Sequence, residues 1–454
     1  MLIILFIQNR AYALVQNLST LLLLTLILPF NLLKVLPPLL WGAIAHITLS
    51  ESRSEHSQNI LITGAKMSKS LQLARSFHQA GHRVFLLETH KYWLSGNRFS
   101  NAIKGFYTVP NPEQNWPEYQ QAVLEIVQKE NIDIFIPVSS PTGSYYESML
   151  KPILSPYCEV FHFDLENTKL LDNKFTFIEK AKSLGLSVPK SFLMTHPKQI
   201  LDFDFVQDGS QYILKSIPYD SVRRLDMTKL PLKSQADLEA FLKKLPISED
   251  KPWIMQEFIQ GKEYCTHSTV RNGKIRLHCC CESSEFQVNY YHVEEAEIYD
   301  WVQTFVNGLN LTGQISFDFI KTEDGGVYPL ECNPRTHSAI TTFHDHPGVA
   351  DAYLKDPENA TENPIFPLPD SQPTYWTYHE LWRLTKIRSF EQLKAWMKRM
   401  LEGTDGIFET RDPLPFLMVH HWQIPILLLQ NLQKMKGWVR IDFNIGKLVE
   451  LDGD

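Results

Sequence analysis

The sequence predicts an α/β protein of several domains, with an alternating strand–helix unit followed by antiparallel hairpins. Three observations carry this prediction. A chain of 454 residues exceeds what one hydrophobic core serves, and its length suggests roughly two to four domains. From Asn59 onward, short apolar runs alternate with segments of helical spacing, the order of a parallel sheet with crossover helices. Further along, Asn272–Gly273 and Asp324–Gly325 each sit between two strand-like runs, the strongest short-range hairpin signal.

Composition narrows the function classes. A hydrophobic share of 44% beside 21% charged residues belongs to an ordinary folded chain. The formal charge of −7 argues against nucleic acid as a main partner. The six cysteines (Cys158, Cys265, Cys279, Cys280, Cys281 and Cys332) contain no CxxC pair, so neither a zinc ribbon nor a thioredoxin-like site is supported. Alternation along a strand keeps Cys279–Cys281 from converging on one ion. They are expected to be small buried hydrophobes in a reducing compartment, the cytoplasm.

Residues 1–50 form a hydrophobic segment with almost no acidic residues. Pro29, Asn31, Lys34, Pro37 and Pro38 interrupt it, and no clear cleavage site follows. An interfacial or re-entrant membrane anchor is expected, or else an N-terminal hairpin packed on the protein. Glu51–Asn59 reads as a linker. Residues 58–165 are the α/β unit. There Gly64, Lys69 and Ser70 suggest a phosphate loop, but Ser68 stands where that motif needs glycine, so a structural turn is expected.

Residues 166–255 begin a second unit, with a helix stopped by Gly185, a strand led by Pro189, and YILKS at 212–216. Residues 256–360 hold the two hairpins. A Pro-rich stretch then opens a C-terminal extension, 361–454.

The second hairpin carries the chemistry. If Asp324–Gly325 is a two-residue loop, Glu323 faces Gly326, Asp318 faces Glu331 and Ser316 faces Asn333. All four of Ser316, Asp318, Glu331 and Asn333 then share one face, while Phe317 and Phe319 point to a core. Two carboxylates directly across a ladder repel. A hard divalent cation would compensate, taking oxygen from one or two carboxylates and the rest from phosphate and water. Asn333 would add a neutral oxygen, and Arg335 a fixed fork for phosphate. The alternative is a solvated edge hairpin, and a one-residue bulge would break the register.

ECNPR behind a DFI-bearing strand resembles the carboxyl-terminal signature of the ATP-grasp family, with earlier elements in family order over about residues 60–360. The resemblance implies an ATP-grasp fold behind a Rossmann-like pre-ATP-grasp domain. By it, 166–255 is the lid subdomain and 256–360 the metal and nucleotide subdomain. It implies ATP and Mg2+ (or Mn2+) as cofactors, with Asp318, Glu331 and Asn333 as metal ligands. Lys174 and Lys215 are the implied nucleotide-binding lysines. Gln256, Glu257, Phe258 and Ile259 would hold adenine, Glu263 the ribose hydroxyls, and Arg335 phosphate, with Lys215 and Arg335 catalytic. Two departures stand out: Ser316 replaces a frequent arginine, and the segment after Lys215, with Arg223 and Arg224, is not glycine-rich.

IPYDSVRR, IMQEFIQGKEYCTHSTVR, ECNPRTHSAIT and GWVRIDFNIGKLVELDGD also resemble the ligases of mycosporine biosynthesis within that family. That resemblance implies joining of 4-deoxygadusol to glycine through a phosphorylated enol, with a homodimer as a compatible assembly. A carboxylate–amine ligase working through an acyl phosphate is the second reading, and a membrane-associated nucleotide-binding regulator without catalysis the third. His337 is a candidate for orienting the substrate, against a structural role. His267 and His278 are expected to serve strand packing, His344 and His346 a loop, and Trp253 and Met255 the core. Arg223, Arg335 and Thr336–Ser338 are candidates for binding a carboxylate.

Overall fold

The computed structural model describes residues 2–45, 57–138, 140–217, 223, 226–283, 289–355 and 363–450. Arg224, most of the segment after Lys215 and most of the expected linker lie outside the described residues.

Five short strands form a parallel sheet: β1 (Asn59–Ile62), β2 (Arg83–Thr89), β3 (Gly105–Val109), β4 (Ile134–Ile136) and β5 (Glu159–Val160). Their order is β3-β2-β1-β4-β5. All four β1 residues are buried, because helices cover both faces and an apolar run is needed rather than an alternation. Ile60 pairs with Val84 on one side and Ile134 on the other. Strand order therefore reverses between β1 and β4, where crossover helices leave to opposite sides and open a crevice at the strand ends. The helix α2 (Ser68–Gln79) leaves β1 at that crevice, α3 (Trp116–Lys129) leads into β4, and α4 (Pro141–Leu154) leaves β4.

The turn into α2, expected to be structural, is held by its own backbone and by Ser70. Gly64 has a φ of 66°, and the Met67 N–H bonds the Gly64 carbonyl at 2.9 Å. The Ser70 hydroxyl donates to the Thr63 and Gly64 carbonyls.

The segment expected as one helix after residue 166 is two, α5 (Leu165–Asp172) and α6 (Lys174–Ser183). Asn173 divides them: its side-chain oxygen caps the Phe175 and Thr176 N–H groups at 3.0 and 3.2 Å. The break makes Lys174 the first residue of α6.

A small antiparallel sheet follows, β6 (Ser191–Met194), β7 (Tyr212–Ser216) and β8 (Trp253–Glu257), in the order β6-β8-β7. It has its own core, with Tyr212, Leu214, Trp253 and Met255 packed together.

A larger antiparallel sheet holds β9 (Lys262–Arg271), β10 (Lys274–Glu282), β12 (Gly313–Lys321) and β13 (Val327–Asn333), with β11 (Asn289–Tyr290) outside it. Its order is β10-β9-β12-β13. Asn272 and Gly273 turn the first hairpin at φ values of 48° and 71°, the left-handed pair such a loop needs.

The second hairpin departs from the expected loop. Thr322 donates to the Gly326 carbonyl at 2.9 Å, and Lys321 pairs with Val327, so Glu323, Asp324 and Gly325 form a three-residue loop with Gly325 at φ 88°. That shifts the register by one residue. A bulge then restores it: Phe319 pairs with Pro329, yet Asp318 pairs with Glu331, leaving Leu330 unpaired. Pro329 has no N–H for the ladder, which favours the irregularity there. The two offsets cancel, so Ser316 faces Asn333 as expected.

Beneath this sheet lies an aromatic core. Phe317 and Phe319 pack against Trp301 and Phe305 of α7 (Ala296–Gly308), and Phe317 also against Phe177 of α6. All six cysteines are buried and unpaired.

The hydrophobic N-terminus is one continuous helix, α1 (Leu2–Ala45), with Pro29, Pro37 and Pro38 inside it. This corrects the expectation of an interrupted segment. The helix keeps one register through its prolines because its inner stripe is held by the body of the protein. Ala13, Asn17, Leu24, Asn31 and Val35 are buried. Asn17 donates to the Lys436 carbonyl at 2.9 Å, Asn31 to the Tyr378 hydroxyl at 2.6 Å, and Lys34 lies 4.3 Å from the Phe408 and Phe416 rings. Leu22, Leu23, Leu26, Phe30, Leu33, Leu40 and Trp41 face outward and are exposed. Asn17 and Asn31 thus share the inner stripe with Ala13, Leu24 and Val35, while large apolar side chains cover the outer face, where a soluble amphipathic helix carries polar ones.

Candidate active site

Four adjacent strands build the floor of the site. Ladder pairing places Glu331, Asp318, Cys265 and Cys281 in one row and Asn333, Ser316, His267 and Cys279 in the next, all on one face. Glu263, two residues before Cys265, adds a third carboxylate to that face. The β10 end is covered by protein, whereas the Glu331 side chain keeps 36% of its surface exposed. The acids thus line an open cleft.

Two elements bring cations to this floor. The break at Asn173 aims Lys174 at Glu331, with Nζ 3.6 Å from Oε2. From the small sheet, Lys215 donates to Gln256 Oε1 at 2.9 Å. Arg335 follows β13, donating to Asn333 Oδ1 and reaching Asp172 at 3.3 Å.

The charges are unevenly shared. Burial, and then the neighbouring Glu331, push the Asp318 carboxyl well above the usual carboxylate range. Burial also acts upward on Glu331, but Lys174, Lys215 and Arg335 together overcome it and hold this carboxyl down. The two carboxyls are thus pushed in opposite directions, Asp318 toward its neutral form and Glu331 toward its charged one. Burial pushes the Lys215 ammonium down to about 8, aided by Lys174 and opposed by Glu331, Asp318 and Glu263.

The donor set suits a small hard cation. Among the described residues no three His, Cys, Asp or Glu side chains converge as one ligand group. Two carboxylates and an amide are nonetheless what magnesium takes from protein when phosphate and water complete its shell. The Asn333 amide turns its oxygen to Arg335 and its nitrogen to Glu331 at 3.4 Å; rotation by half a turn would present the oxygen beside the carboxylate.

The other expected residues divide into two sets. Gln256 is fully buried, and its Nε2 has no partner among the described residues, an unspent donor suited to a ligand acceptor. Glu257 instead turns to the Ser210 hydroxyl at 2.9 Å and the Lys190 N–H at 3.1 Å. The Phe258 N–H is spent on the Gln211 carbonyl at 2.7 Å, while its ring lies 3.7 Å from Lys229 Nζ. These two groups are taken up by the small sheet, leaving Gln256 as the donor facing the cleft; Ile259 lies half-buried beyond them. Gly261 is required at the crossing between the sheets, since a Cβ there would meet the Lys321 carbonyl at 2.3 Å.

Sequence spacing did not reveal the neighbours on the far side. The Lys69 Nζ donates to the Thr336 carbonyl at 2.7 Å, and the Ser144 hydroxyl to the Pro334 carbonyl at 3.0 Å. Gln314 donates to the Pro137 carbonyl at 2.8 Å while accepting from Thr336 and Tyr353. These contacts seat the segment after Asn333 on the crevice between β1 and β4. The one available signal was a lysine just inside the helix that follows β1. A separate cavity of about 830 Å³, lined by His278, Tyr290, His292, Tyr299 and Phe366 among others, opens at the β10 edge.

No family model matches this chain, and no curated protein matches it in sequence. Solved structures do. Biotin carboxylase from Campylobacter jejuni, in complex with β,γ-ATP, is similar over 66% of this chain and 72% of its own, with 12% identity and a TM-score of 0.50. Carboxyaminoimidazole ribonucleotide synthase from Aspergillus clavatus, complexed with ATP, covers 70% of this chain and 80% of its own, at 13% identity and a TM-score of 0.49. N5-carboxyaminoimidazole synthetase from Staphylococcus aureus, complexed with ADP, covers 64% and 74%, at 16% identity and a TM-score of 0.49. At such identities the likeness is one of fold. The chain has an ATP-grasp fold, with a parallel α/β sheet ahead of it and an apolar helix at its N-terminal side.

Proposed function

We propose that this chain is an ATP-dependent C–N ligase that phosphorylates an acceptor oxygen and replaces it with an amine. The supporting observation is the Asp318–Glu331 pair at one level of a hairpin, ringed by Lys174, Lys215 and Arg335. Two half-buried carboxyls, pushed apart in acidity and set beside three cations, suit a divalent ion. Asp318, Glu331 and Asn333 would hold magnesium, which when bound neutralises phosphate charge. Lys174, Lys215 and Arg335 would hold the phosphates, and Gln256, with backbone groups near Ile259, the nucleobase. Glu263 would take the ribose.

The chemistry needs positioning more than a nucleophilic side chain. The γ-phosphoryl group leaves ADP and bonds to the acceptor oxygen. The amine nitrogen then bonds the carbon bearing that oxygen, the C–O bond breaks, and phosphate departs with the electron pair. The lysines and Arg335 stabilise charge on the oxygens throughout.

For substrates, the resemblance of the segments around IPYDSVRR, ECNPRTHSAIT and the C-terminal tail favours mycosporine-glycine synthase, the ligase of cyanobacterial biosynthesis of UV-screening mycosporines. The acceptor would be 4-deoxygadusol and the amine glycine. A product assay with ATP, magnesium or manganese, 4-deoxygadusol or a panel of carboxylates, and glycine, serine or lysine tests this. ADP formed only with 4-deoxygadusol and glycine is expected. Turnover with carboxylates alone would establish the acyl-phosphate chemistry, and nucleotide binding without turnover the regulator. Asp318→Asn and Glu331→Gln should each abolish ADP formation with the fold intact; full activity in either defeats the metal assignment.

We also propose that the outward face of α1 rests on a lipid surface. Large apolar side chains are exposed over the long span Arg10–Gly42, while Asn17 and Asn31 are spent on the body of the protein. Vesicle flotation of the full chain, with and without Leu26→Glu/Leu33→Glu, should show binding lost in the variant. A concentration-dependent dimer abolished by the same changes, without flotation, would assign the face to a homodimer instead.

A further inference from the structure

The turn after β1 carries a lysine that the ATP site does not use. Lys69 is the second residue of α2, and its side chain crosses from the parallel sheet to the segment after Asn333. Among the described residues its ammonium makes one hydrogen bond, to the Thr336 carbonyl at 2.7 Å, leaving two N–H donors unspent. A buried ammonium with one neutral acceptor is unfavourable. Burial, then Arg335, push it down to about 7, with Glu147 opposing.

His267 lies behind it and adds an independent observation. This side chain is fully buried, and its Nδ1 accepts the His337 N–H at 3.3 Å. That bond makes Nε2 the protonated nitrogen, and Nε2 has no partner among the described residues. The His337 Nδ1 in turn accepts the Ala339 N–H at 3.2 Å. Burial holds both rings neutral, and Lys69 acts on both. Donors without acceptors therefore gather at one place: two on Lys69 and the Nε2–H of His267. A pure staple between sheets would need only the bond to Thr336. A surplus of buried donors is satisfied by a ligand that brings oxygen acceptors.

Position limits the ligand. The cluster sits at the reversal of strand order between β1 and β4, the crevice where open α/β sheets bind ligands. Arg335, one residue before Thr336, reaches Asn333 and acts on both Lys69 and the Asp318–Glu331 pair, so the cluster neighbours the proposed phosphorylation site.

We infer that Lys69 binds the acceptor through an oxyanion, an enolate or carboxylate oxygen, with His267 positioning the His337 segment beside it. This rests on the ligase reading and identifies the acceptor side of the same site. No bond to the protein forms or breaks; the contact orients the acceptor for phosphoryl transfer.

Steady-state kinetics of Lys69→Met, Lys69→Arg and wild type, with ATP and 4-deoxygadusol varied in turn, test it. The expected result is a KM for the acceptor raised about 10- to 100-fold in Lys69→Met, the range for a lost charge-assisted hydrogen bond, with the KM for ATP within about twofold and partial recovery in Lys69→Arg. An unchanged acceptor KM overturns the inference while leaving the ligase reading standing. A raised KM for ATP, or weakened product inhibition by inorganic phosphate, assigns the donors to phosphate and also overturns it. Absence of acceptor-dependent ADP formation in wild type defeats the ligase reading first. Should Lys69→Met not fold, wild-type protein labelled with a small acylating reagent at about pH 8 decides. Protection of Lys69 by 4-deoxygadusol but not by magnesium–ATP supports the inference, and the reverse overturns it.

Discussion

Lys215, half-buried, and Lys69, buried, lie on opposite sides of one cluster, and the balance of charge around them differs. Lys215 meets Glu331, Asp318 and Glu263, which favour its charge against burial and Lys174. Lys69 meets Arg335 and Lys66, which add to burial, with Glu147 alone opposing. Both bond one neutral oxygen, Gln256 Oε1 for Lys215 and the Thr336 carbonyl for Lys69. Lys215 therefore belongs to a site that mixes acids with cations, as the proposed metal and polyphosphate would require. Lys69 belongs to a site with positive charge and spare donors, suited to one compact anion.

This contrast can be broken at several points. The largest effect is expected from Lys215→Met, which should lower kcat for ADP formation by about 10²- to 10³-fold, the scale of losing one preorganised donor. Rapid-quench measurement of ADP checks it, and a rate near wild type would remove Lys215 from phosphoryl transfer. Gly261→Ala tests whether the close crossing between β8 and β9 holds the small sheet over the acids. Overpacking against the Lys321 carbonyl should cost about 1–3 kcal/mol in urea unfolding, and no loss would mean that the crossing yields.

A smaller effect concerns pH. In the fold Lys69 loses its proton above about 7, whereas an unfolded lysine holds it to its ordinary 10.5. Between those values the unfolded chain binds more protons, so the contribution of this position to stability rises with pH. The Tm of Lys69→Met minus that of wild type should therefore fall as pH is raised from about 7 to about 9. A gap independent of pH would mean that Lys69 is not a strained buried cation. The smallest effect is on coupling. In the Lys69→Met/Lys215→Met double variant, losses in kcat/KM should add to within about 0.5 kcal/mol, because the two lysines share no hydrogen-bond partner.

The hairpin shows how a local pattern survives local error. The two-residue loop was expected and a three-residue loop formed, yet the bulge at Leu330 returned Asp318 to Glu331. Alternation makes the face of every side chain depend on parity, and burial of Phe317 and Phe319 against Trp301 enforces that parity whatever the turn does. The helix break at Asn173 was equally local, but it was concealed by continuous helical spacing through Lys174. The N-terminal prolines argued for interruption, and packing of Asn17 and Asn31 on the body kept α1 whole.

Periodicity and turn residues were sufficient for the parallel sheet, both hairpins, and the shared face of Asp318, Glu331 and Asn333. Those features depend on neighbours a few residues apart, or on the fixed alternation of a strand. Lys69 against Thr336 spans 267 positions, and Gln314 against Pro137 spans 177. The turning of Glu257 toward Ser210, away from the cleft, depends on how a separate sheet packs. Contacts across such separations follow from docking whole sheets against each other, which no local pattern encodes. The tertiary structure therefore decided which of two similar lysines faces a mixture of acids and cations and which faces unspent donors.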